Sequence, residues 1–575
     1  MSNRVYNRLL LLVAGLGGLL YGVDVGIIGG ALPYLEATSG LNAGQLSIIV
    51  AAVLLGSVIS TLFAGLIADW IGRKPLMMLS GAIFVLSIPV IALSHGYAPL
   101  FLGRLLQGVS GGLVGIVVPL YLAECLSAQD RGKGTGAFQW LLTLGIFLAA
   151  VIGIYYSYRV AGLASSSSAT TLLEIKDQAW RRIFWMSMPP GILFLAGSLF
   201  VAESPRWLFK RGRKEQALQA LLRSRSSEQA ALELHEMEQV SLAKTTTFKD
   251  SLLRRKYILP FILACIILFC NTATGINSII GYNTDILLQS GLSDLHAHWG
   301  YVLFTLLNFL MTIIGMTLVD RKGRKFLLVL GTSGIIVSLL FVASLFVSTE
   351  RNRYDARDAI QAMVAPEQAL SLHFNQADTQ QLLPPNRFGT GDLSLSVIYS
   401  YGGFTATTRT LRSVDADAAP VSVNRQSGLP SSKVEAFFQN PFADLDAARA
   451  APLKIEHAYI APLPDETHGW LVALGLYGFV AFYGLGPGVC VWLALSELMP
   501  TRIRSNGMSI ALVINQMVST TLAGIFLPVV GKYGYSMMFF LVCGFTVIYL
   551  VTAAFFLPET KGKTLEEIEA YFEAA

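Results

Sequence analysis

Long apolar runs recur along almost the whole chain, and they constrain its fold more than any other feature. A helix needs about 20 predominantly apolar residues to cross a hydrocarbon core about 30 Å thick. Because a helix satisfies its backbone hydrogen bonds internally, we expect helices rather than a barrel to do the spanning. About twelve runs qualify, approximately 8–32, 45–68, 76–95, 98–123, 135–157, 182–202, 257–288, 297–319, 326–348, 469–496, 506–531 and 535–557.

The composition agrees with a membrane protein. Of 575 residues, 53% are hydrophobic and 14% are charged, against about 25% charged in soluble domains. The first run follows Arg4 and Arg8 and could be mistaken for a signal peptide, but it has no convincing small-residue cleavage site. We therefore predict that it is the first spanning helix.

The positive charge is concentrated in short loops that follow even-numbered helices, such as IGRKP, DRKGRK and PTRIR. Loops rich in Lys and Arg face the cytoplasm, so both termini are expected there, in a multi-pass protein of the inner membrane. This distribution also explains the net charge of +5 without nucleic-acid binding. The five cysteines lack metal-ligand spacing, so no disulfide framework, metal site or cofactor is expected.

Two motifs recur in the same order and indicate two homologous halves. In the first half, Asp69 and Glu124 lie 55 residues apart, whereas Asp320 and Glu497 in the second half lie 177 apart. The 122 extra residues lie between helices 9 and 10, at about 349–468, and an odd-numbered helix places them outside the cytoplasm. DAIQAMVAPEQAL predicts a short helix there and DLSLSVIYSY a strand, so a small periplasmic domain and a partly disordered loop both remain open.

The predicted organisation is all-α, with twelve transmembrane helices in two six-helix bundles and the insertion between helices 9 and 10. The segments are 1–202 for the first bundle, 203–256 for a cytoplasmic linker with short helices, 257–348 for helices 7–9, 349–468 for the insertion, 469–557 for helices 10–12 and 558–575 for a cytoplasmic tail.

Several strings, in the right order and spacing, resemble the sugar porters of the major facilitator superfamily, which include bacterial xylose and galactose proton symporters and animal glucose facilitators. The strings are YGVDVGIIGG, DWIGRKP, DRKGRK, GRLLQGVSGG, PLYLAE, AESPRWL, TGIN and LPETKGKTLEEI. The resemblance covers nearly the whole chain except the insertion. It implies the major facilitator fold, with a central site between the bundles and transport by alternating access.

A carboxylate near the middle of a spanning helix is costly and functional by default. Asp24 occupies such a place in helix 1, and Arg104 in helix 4 is its expected partner. The resemblance implies that Asp24 takes up and releases the proton while Arg104 modulates its affinity. A static buried ion pair is the alternative.

The resemblance also implies a substrate site built from helices 5, 7, 8, 10 and 11. Carboxamides suit a neutral polyhydroxylated ligand because each offers a donor and an acceptor, and a tryptophan can cover the apolar face of a pyranose. The residues carried over are Gln139, Asn271, Thr272, Asn277, Asn308, Trp492 and Asn515.

Further residues are assigned to gating. Tyr282 is expected to be an outer gate, and Gly275 to let helix 7 break or bend beside the ligand. An inner salt-bridge network, which can lock the bundles in one state, is expected from Arg73, Glu124, Arg131, Glu203, Arg206, Arg324, Glu497 and Arg504. Loop charges that only set topology are the alternative interpretation.

Some positions depart from the family pattern. Asn271-Thr272 stands where the family has Gln-Gln, and Gln516 stands where it has Trp. These changes affect the choice of substrate more than the mechanism. The leading hypothesis is therefore a monomeric proton symporter for a pentose or hexose, whose partners are the sugar, protons and the bilayer. An uncoupled sugar or polyol facilitator and a transporter-like nutrient sensor are the alternatives. We find no residue set typical of an enzyme.

Overall fold

The computed structural model describes residues 3–126, 131–164, 167–243, 255–375, 382–384, 387–388, 391–415, 420–430, 432–499 and 504–559, together with 567, 571 and 572. For Arg131, Trp492, Glu497 and Arg504 the backbone is described but the side chain is not. Within these ranges, twelve helical segments are long and apolar enough to cross a membrane. The twelve predicted spans are confirmed.

The first half is a bundle of helices joined to short linker helices. Its first five spans are α1 (Asn3–Ser39), α2 (Ala43–Ile71), α3 (Arg73–Ala92), α4 (Tyr97–Cys125) and α5 (Arg131–Ala164), and the consecutive helices α6 (Ala169–Met186) and α7 (Met188–Phe200) together form the sixth. The linker contains α8 (Pro205–Lys210), α9 (Lys214–Ser224) and α10 (Ser227–Ala243). The prediction of short helices in the linker is confirmed.

The second half repeats the plan around the insertion. Its first part contains α11 (Arg255–Ala273), α12 (Ile276–Gly281), α13 (Asn283–Gln289), α14 (Asp294–Lys322) and α15 (Arg324–Glu350). Its last part contains α20 (Glu466–Leu485), α21 (Pro487–Leu498), α22 (Arg504–Tyr533), α23 (Tyr535–Val551) and a π-helix (Thr552–Phe556).

The sixth span begins earlier than the sequence suggested. The apolar run predicts a start near residue 182, whereas helix α6 begins at Ala169. Its first turns carry Glu174, Lys176 and Asp177, so hydropathy alone does not reveal them. The helix starts there because Ser168 caps it, accepting a hydrogen bond from the Thr171 backbone N–H at 3.4 Å.

The insertion is folded over its described residues. Its helices are α16 (Arg357–Ala362), α17 (Arg425–Gly428), α18 (Lys433–Gln439) and α19 (Leu445–Ala450). Its strands are β1 (Tyr354–Asp355), β2 (Leu370–Leu372), β3 (Leu393–Tyr401), β4 (Phe404–Thr407), β5 (Leu411–Arg412), β6 (Val421–Val423) and β7 (Leu453–Pro462).

Strand β3 is the centre of the insertion sheet. The antiparallel order is β1-β7-β3-β4, with β5 also paired to β3, while β2 and β6 form a second, two-stranded sheet. Buried side chains of both sheets share one core, which includes Leu395, Val397 and Ile455. The predicted strand in DLSLSVIYSY and the predicted helix in DAIQAMVAPEQAL are confirmed as β3 and α16.

We call the end of the bundles that carries the insertion the insertion end, and the end that carries α8–α10 the linker end. The internal repeat is visible at the linker end. Gly72 and Gly323 each join two spanning helices with positive φ, 107° and 93°. The backbone N–H of the next residue, Arg73 or Arg324, donates to Glu203 at 3.0 Å or to Glu559 at 3.1 Å. Both carboxylates therefore bind the first N–H groups of a helix, which otherwise lack partners.

At the insertion end the two halves are in contact. Tyr301 of α14 donates to the carbonyl of Gly26 in α1 at 2.8 Å. Asp294, at the start of α14, accepts hydrogen bonds from Tyr34 of α1 at 2.8 Å and Ser157 of α5 at 2.6 Å. This end is closed in the structure.

Candidate functional site

Asp24 lies in α1 and is completely buried in the first half. Helix α4 approaches it closely, because a Cβ added at Gly111 would lie 3.0 Å from an Asp24 carboxylate oxygen. Neither carboxylate oxygen has a hydrogen-bond partner among the described residues. An ionised carboxylate in such a place is costly, so the site is suited to gaining and losing a proton.

Arg104 of α4 is the positive charge near Asp24. It is 1% exposed, and the two side chains interact electrostatically. Its Nη1 donates to Gln107 Oε1 at 2.6 Å, while its Nε and the Gln107 Nε2 have no partner among the described residues. The structure therefore places the predicted pair in one polar pocket without a direct ion pair between them.

The seventh span breaks where the sequence predicts. Helix α11 ends at Ala273, and Gly275 adopts φ +83° before α12 begins. That conformation is unfavourable for residues with a Cβ. The break interrupts the helix within the polar stretch. Just before it, the Thr274 hydroxyl donates to the Asn271 carbonyl at 2.7 Å.

Polar side chains of α11 and α22 meet beside this break. The Asn515 side chain donates to Thr272 Oγ1 and, at 3.0 Å, to the Leu268 carbonyl. Asn271 Nδ2 donates to the Tyr483 hydroxyl at 3.4 Å, and its Oδ1 has no partner among the described residues. The structure thus brings three of the predicted binding residues together.

The stretch beyond the break adds further polar groups. Asn277 of α12 donates to Ser519 of α22 at 2.7 Å. Asn283, at the start of α13, is fully buried, and both its amide atoms lack partners among the described residues; the Thr284 hydroxyl lacks one as well. Such a concentration of unsatisfied buried groups is typical of a ligand site rather than of a packed core.

The remaining predicted binding residues are more scattered. Gln139 of α5 is half-buried and Asn308 of α14 is buried. Gln139 precedes Trp140, and Asn308 precedes Phe309. The rings of Trp140 and Phe309 stack between α5 and α14, with centroids 5.8 Å apart. The side chain of Trp492 lies outside the part of the chain that the structure describes.

Tyr282 follows α12 directly and packs against helices of both halves. It is fully buried and stacks on Phe526 of α22, with ring centroids 4.3 Å apart. Its hydroxyl donates to the Ala523 carbonyl at 2.9 Å and contacts Ser47 of α2 at 3.2 Å. The side chain therefore joins the second half to the first, at the place expected of a gate.

The charged residues of the linker end form a separate cluster. Arg73 makes a bidentate pair with Glu124, at 2.8 and 2.9 Å, and also pairs with Asp69 at 2.9 Å. Glu203 accepts from the Arg73 backbone, whereas Arg206 is exposed.

These pairs join helices of the same half. Arg324 is likewise linked through its backbone N–H to Glu559 of its own half. The side chains of Arg131, Glu497 and Arg504, which were assigned to this network, lie outside the described residues.

Sequence reasoning missed several groups of the site. Tyr21, one turn from Asp24, lies near the Gln516 side chain of α22 and so brings the surroundings of Asp24 close to the second half. Gln107, Asn283, Tyr483 and Ser519 were also missed. A polar residue in an apolar run was the available signal, but such a residue often only forms a hydrogen bond with a neighbouring helix.

Two bundles of six spanning helices are the architecture of the major facilitator superfamily. A solved structure of the xylose transporter XylE from E. coli, in a partially occluded inward open conformation, shares this fold with a TM-score of 0.65. The two sequences are 19% identical, and the match covers 97% of this chain and 100% of the XylE chain.

The sequence matches the family model described as "Sugar (and other) transporter" over residues 10–364 and 456–572, and the chain belongs to this family. It is 26% identical to the glucose transporter GlcP of Staphylococcus epidermidis, over 98% of this chain and 97% of the relative. It is also 26% identical to the human proton myo-inositol cotransporter, over 97% of this chain and 81% of that relative. The gap in the family match, 365–455, falls inside the insertion. The protein is thus a multi-pass membrane transporter and not an enzyme.

Proposed function

We propose that the protein is a proton-coupled symporter for a monosaccharide or a cyclic polyol and works by alternating access. The observation that carries the proposal is the Asp24 carboxylate, which is buried inside the membrane-spanning bundle close to Arg104 and has no hydrogen-bond partner in the described part of the chain. A group in this setting changes its interactions strongly when it binds a proton.

Asp24 and Arg104 supply the coupling. When Asp24 is ionised it attracts Arg104, and protonation removes that attraction. If the two alternating-access states differ in the separation of this pair, the proton biases their populations. Tyr21 interacts with Asp24 and lies near Gln516, and through these side chains the change reaches α22, which also carries Asn515 and Ser519 of the substrate site.

The polar groups along α11–α13 bind the substrate. Asn271 and Asn283 offer amide atoms that have no partner within the described ranges, and amides can donate to and accept from hydroxyl groups. The residues assigned to the substrate site carry no charge, which favours a neutral ligand. Relatives named for glucose and for myo-inositol support a hexose, a pentose or a cyclitol of similar size.

The orientation follows from the loop charges. We infer that the linker end, rich in Lys and Arg, faces the cytoplasm with both termini, and that the insertion faces the outside of the inner membrane. The structure would then be closed to the outside, with Tyr282 as part of the outer gate. The protein is proposed to act as a monomer.

The test is uptake into proteoliposomes of labelled pentoses, hexoses and polyols, with and without an inward-directed proton gradient. We expect accumulation of one substrate when the outside is acidic, and its loss when an ionophore dissipates the gradient. Equilibration without accumulation under either condition would identify an uncoupled facilitator. Binding of a substrate without any uptake would favour a nutrient sensor.

A further inference from the structure

The insertion is attached by the chain to the second half only, but it contacts both halves. It leaves α15 and returns to α20. Its strands β3 and β4 pack on α22, and β4 also packs on α2 of the first half. When the insertion end opens, the halves separate, and the insertion must break one of these two sets of contacts.

Arg412 makes the most direct contact with the gate region. Its Nε and Nη2 donate to the two carboxylate oxygens of Asp415 at 2.7 and 2.9 Å. This fixes the plane of the guanidinium. Its remaining Nη1 donates to the Leu288 carbonyl at 3.2 Å. Leu288 lies near the end of α13, the helix that follows Tyr282 directly.

The surroundings of Arg412 are strongly acidic. Burial raises the pKa of the Asp415 carboxyl, but the Arg412 guanidinium, together with the smaller effects of Lys176 and Arg409, holds this pKa below its ordinary value. Arg412 also interacts electrostatically with Asp285 of α13 and with Asp294 at the start of α14. Asp285 is itself fixed by the Tyr535 hydroxyl at 2.8 Å. Arg412 therefore joins the insertion to α13 through a hydrogen bond and through charge.

The insertion also interacts with the first half close to Arg412. Glu36 of α1 interacts electrostatically with both Arg409 and Arg412. In addition, the Asn42 side chain, which caps α2, donates to the Ser427 carbonyl of the insertion. The segment that carries Arg409 and Arg412 thus connects α13 of the second half with the end of α1 in the first half.

We propose that Arg412 is a positioning residue for the outer gate: through it, the insertion holds α13, and with it Tyr282, against the first half and favours the state closed at the insertion end. The inference rests on the proposed alternating-access function, since a gate has meaning only in a transporter. It assigns the insertion a role in setting the balance between open and closed states.

The test is a distance measurement between spin labels on the two halves. Leu93, at the end of α3, and Tyr533, the last residue of α22, are 64% and 55% exposed at the insertion end, so cysteines there leave the gate intact. The parent protein without these cysteines gives the background from its five native ones, which are buried or half-buried. The distances are compared for wild type, Arg412→Gln and a control, Arg357→Gln. Arg357 pairs with Asp358 on the exposed surface of the same insertion.

We expect Arg412→Gln to increase the long-distance population at least threefold and Arg357→Gln to leave it unchanged. Asp415→Asn, which keeps the Leu288 donor but loosens its orientation, should give a smaller increase. If Arg412→Gln does not yield a monodisperse protein, Arg412→Lys is measured instead. A lysine lacks the planar fork with which Arg412 bonds both Asp415 oxygens and still donates to Leu288, so the same direction of shift is expected.

A distance distribution of the Arg412 variant that superimposes on wild type would overturn the inference, as would an equal shift in Arg357→Gln. The measurement needs no substrate, so its outcome is separate from that of the uptake assay. Uptake of a tested sugar together with unchanged distances would contradict only the role of Arg412 and not the proposed transport. Shifted distances in a protein that transports none of the tested sugars contradict the proposed cargo and leave the gate assignment standing.

Discussion

Two buried arginine–carboxylate sites of the first half differ in how far their hydrogen bonds are satisfied. At the linker end, Arg73 donates from all three nitrogens to Glu124 and the Ala68 carbonyl, and it also pairs with Asp69. In the middle of the same half, Asp24 has no hydrogen-bond partner among the residues that the structure describes. The hydrogen bonds of the Arg73 cluster hold it in one arrangement, whereas a buried carboxylate without such bonds gains from binding a proton or moving toward a cation. The difference is the basis on which we assign a structural role to the first site and propose a functional role for the second.

The largest effect is expected at the saturated pair. Arg73→Ala leaves the Glu124 carboxylate buried without its bidentate partner, which should lower the free energy of unfolding by about 3–5 kcal/mol. Thermal unfolding of the purified protein in detergent measures this. The exposed Arg206 provides a control, since Arg206→Ala should change stability by less than about 0.5 kcal/mol. Unchanged stability of Arg73→Ala together with lost transport would show that the linker-end cluster acts in gating instead.

A smaller effect, on substrate affinity, is expected from an unsatisfied group of the substrate site. Asn271→Ala removes an amide whose oxygen has no partner in the described part of the protein, and the loss of one hydrogen bond of about 1.5 kcal/mol to the ligand should weaken binding about tenfold. Isothermal titration with the transported substrate measures the change.

The matched control is Thr274→Val, because the Thr274 hydroxyl is satisfied by the Asn271 carbonyl. That variant should lose stability without losing affinity. If instead Thr274→Val weakens binding as much as Asn271→Ala, satisfied and unsatisfied groups do not differ in function.

The smallest effect is expected at the gate. Tyr282→Phe keeps the stacking on Phe526 but removes the hydroxyl that bonds Ala523 and contacts Ser47. The loss of about 1 kcal/mol from the closed state should raise the open population about fivefold, as measured with the Leu93–Tyr533 label pair. A shift toward the closed state would mean that Tyr282 does not hold this end shut.

Much of the architecture could be predicted from the sequence, because spanning length and loop charge are strong and local signals. The twelve spans, the repeated loops and the break at Gly275 are confirmed. Helix α6 was predicted to begin too late, since its charged first turns resemble a loop. The fold of the insertion depends on pairing between β3 and β7, which are about 60 residues apart, and periodicity does not reveal such pairing.

The candidate site was only partly accessible from sequence. Asp24 stands out as a charge in an apolar run, and Thr272 and Asn515 meet as the resemblance implies. The proximity of Tyr21 to Gln516 depends on how α1 packs against α22, and no local pattern records it. Which buried amides lack partners is likewise a property of the packed structure, so Asn283 could not be ranked above its neighbours.

The central claim is that Asp24 couples proton movement to transport, and a comparison of wild type with Asp24→Asn in proteoliposomes tests it most directly. For 1:1 coupling, each pH unit of gradient supports about tenfold accumulation, since one unit is worth about 1.36 kcal/mol. Exchange of labelled for unlabelled substrate is measured in the same vesicles without a gradient. We predict that Asp24→Asn retains exchange but no longer accumulates substrate. Accumulation by Asp24→Asn with the proton dependence of the wild type would contradict the account.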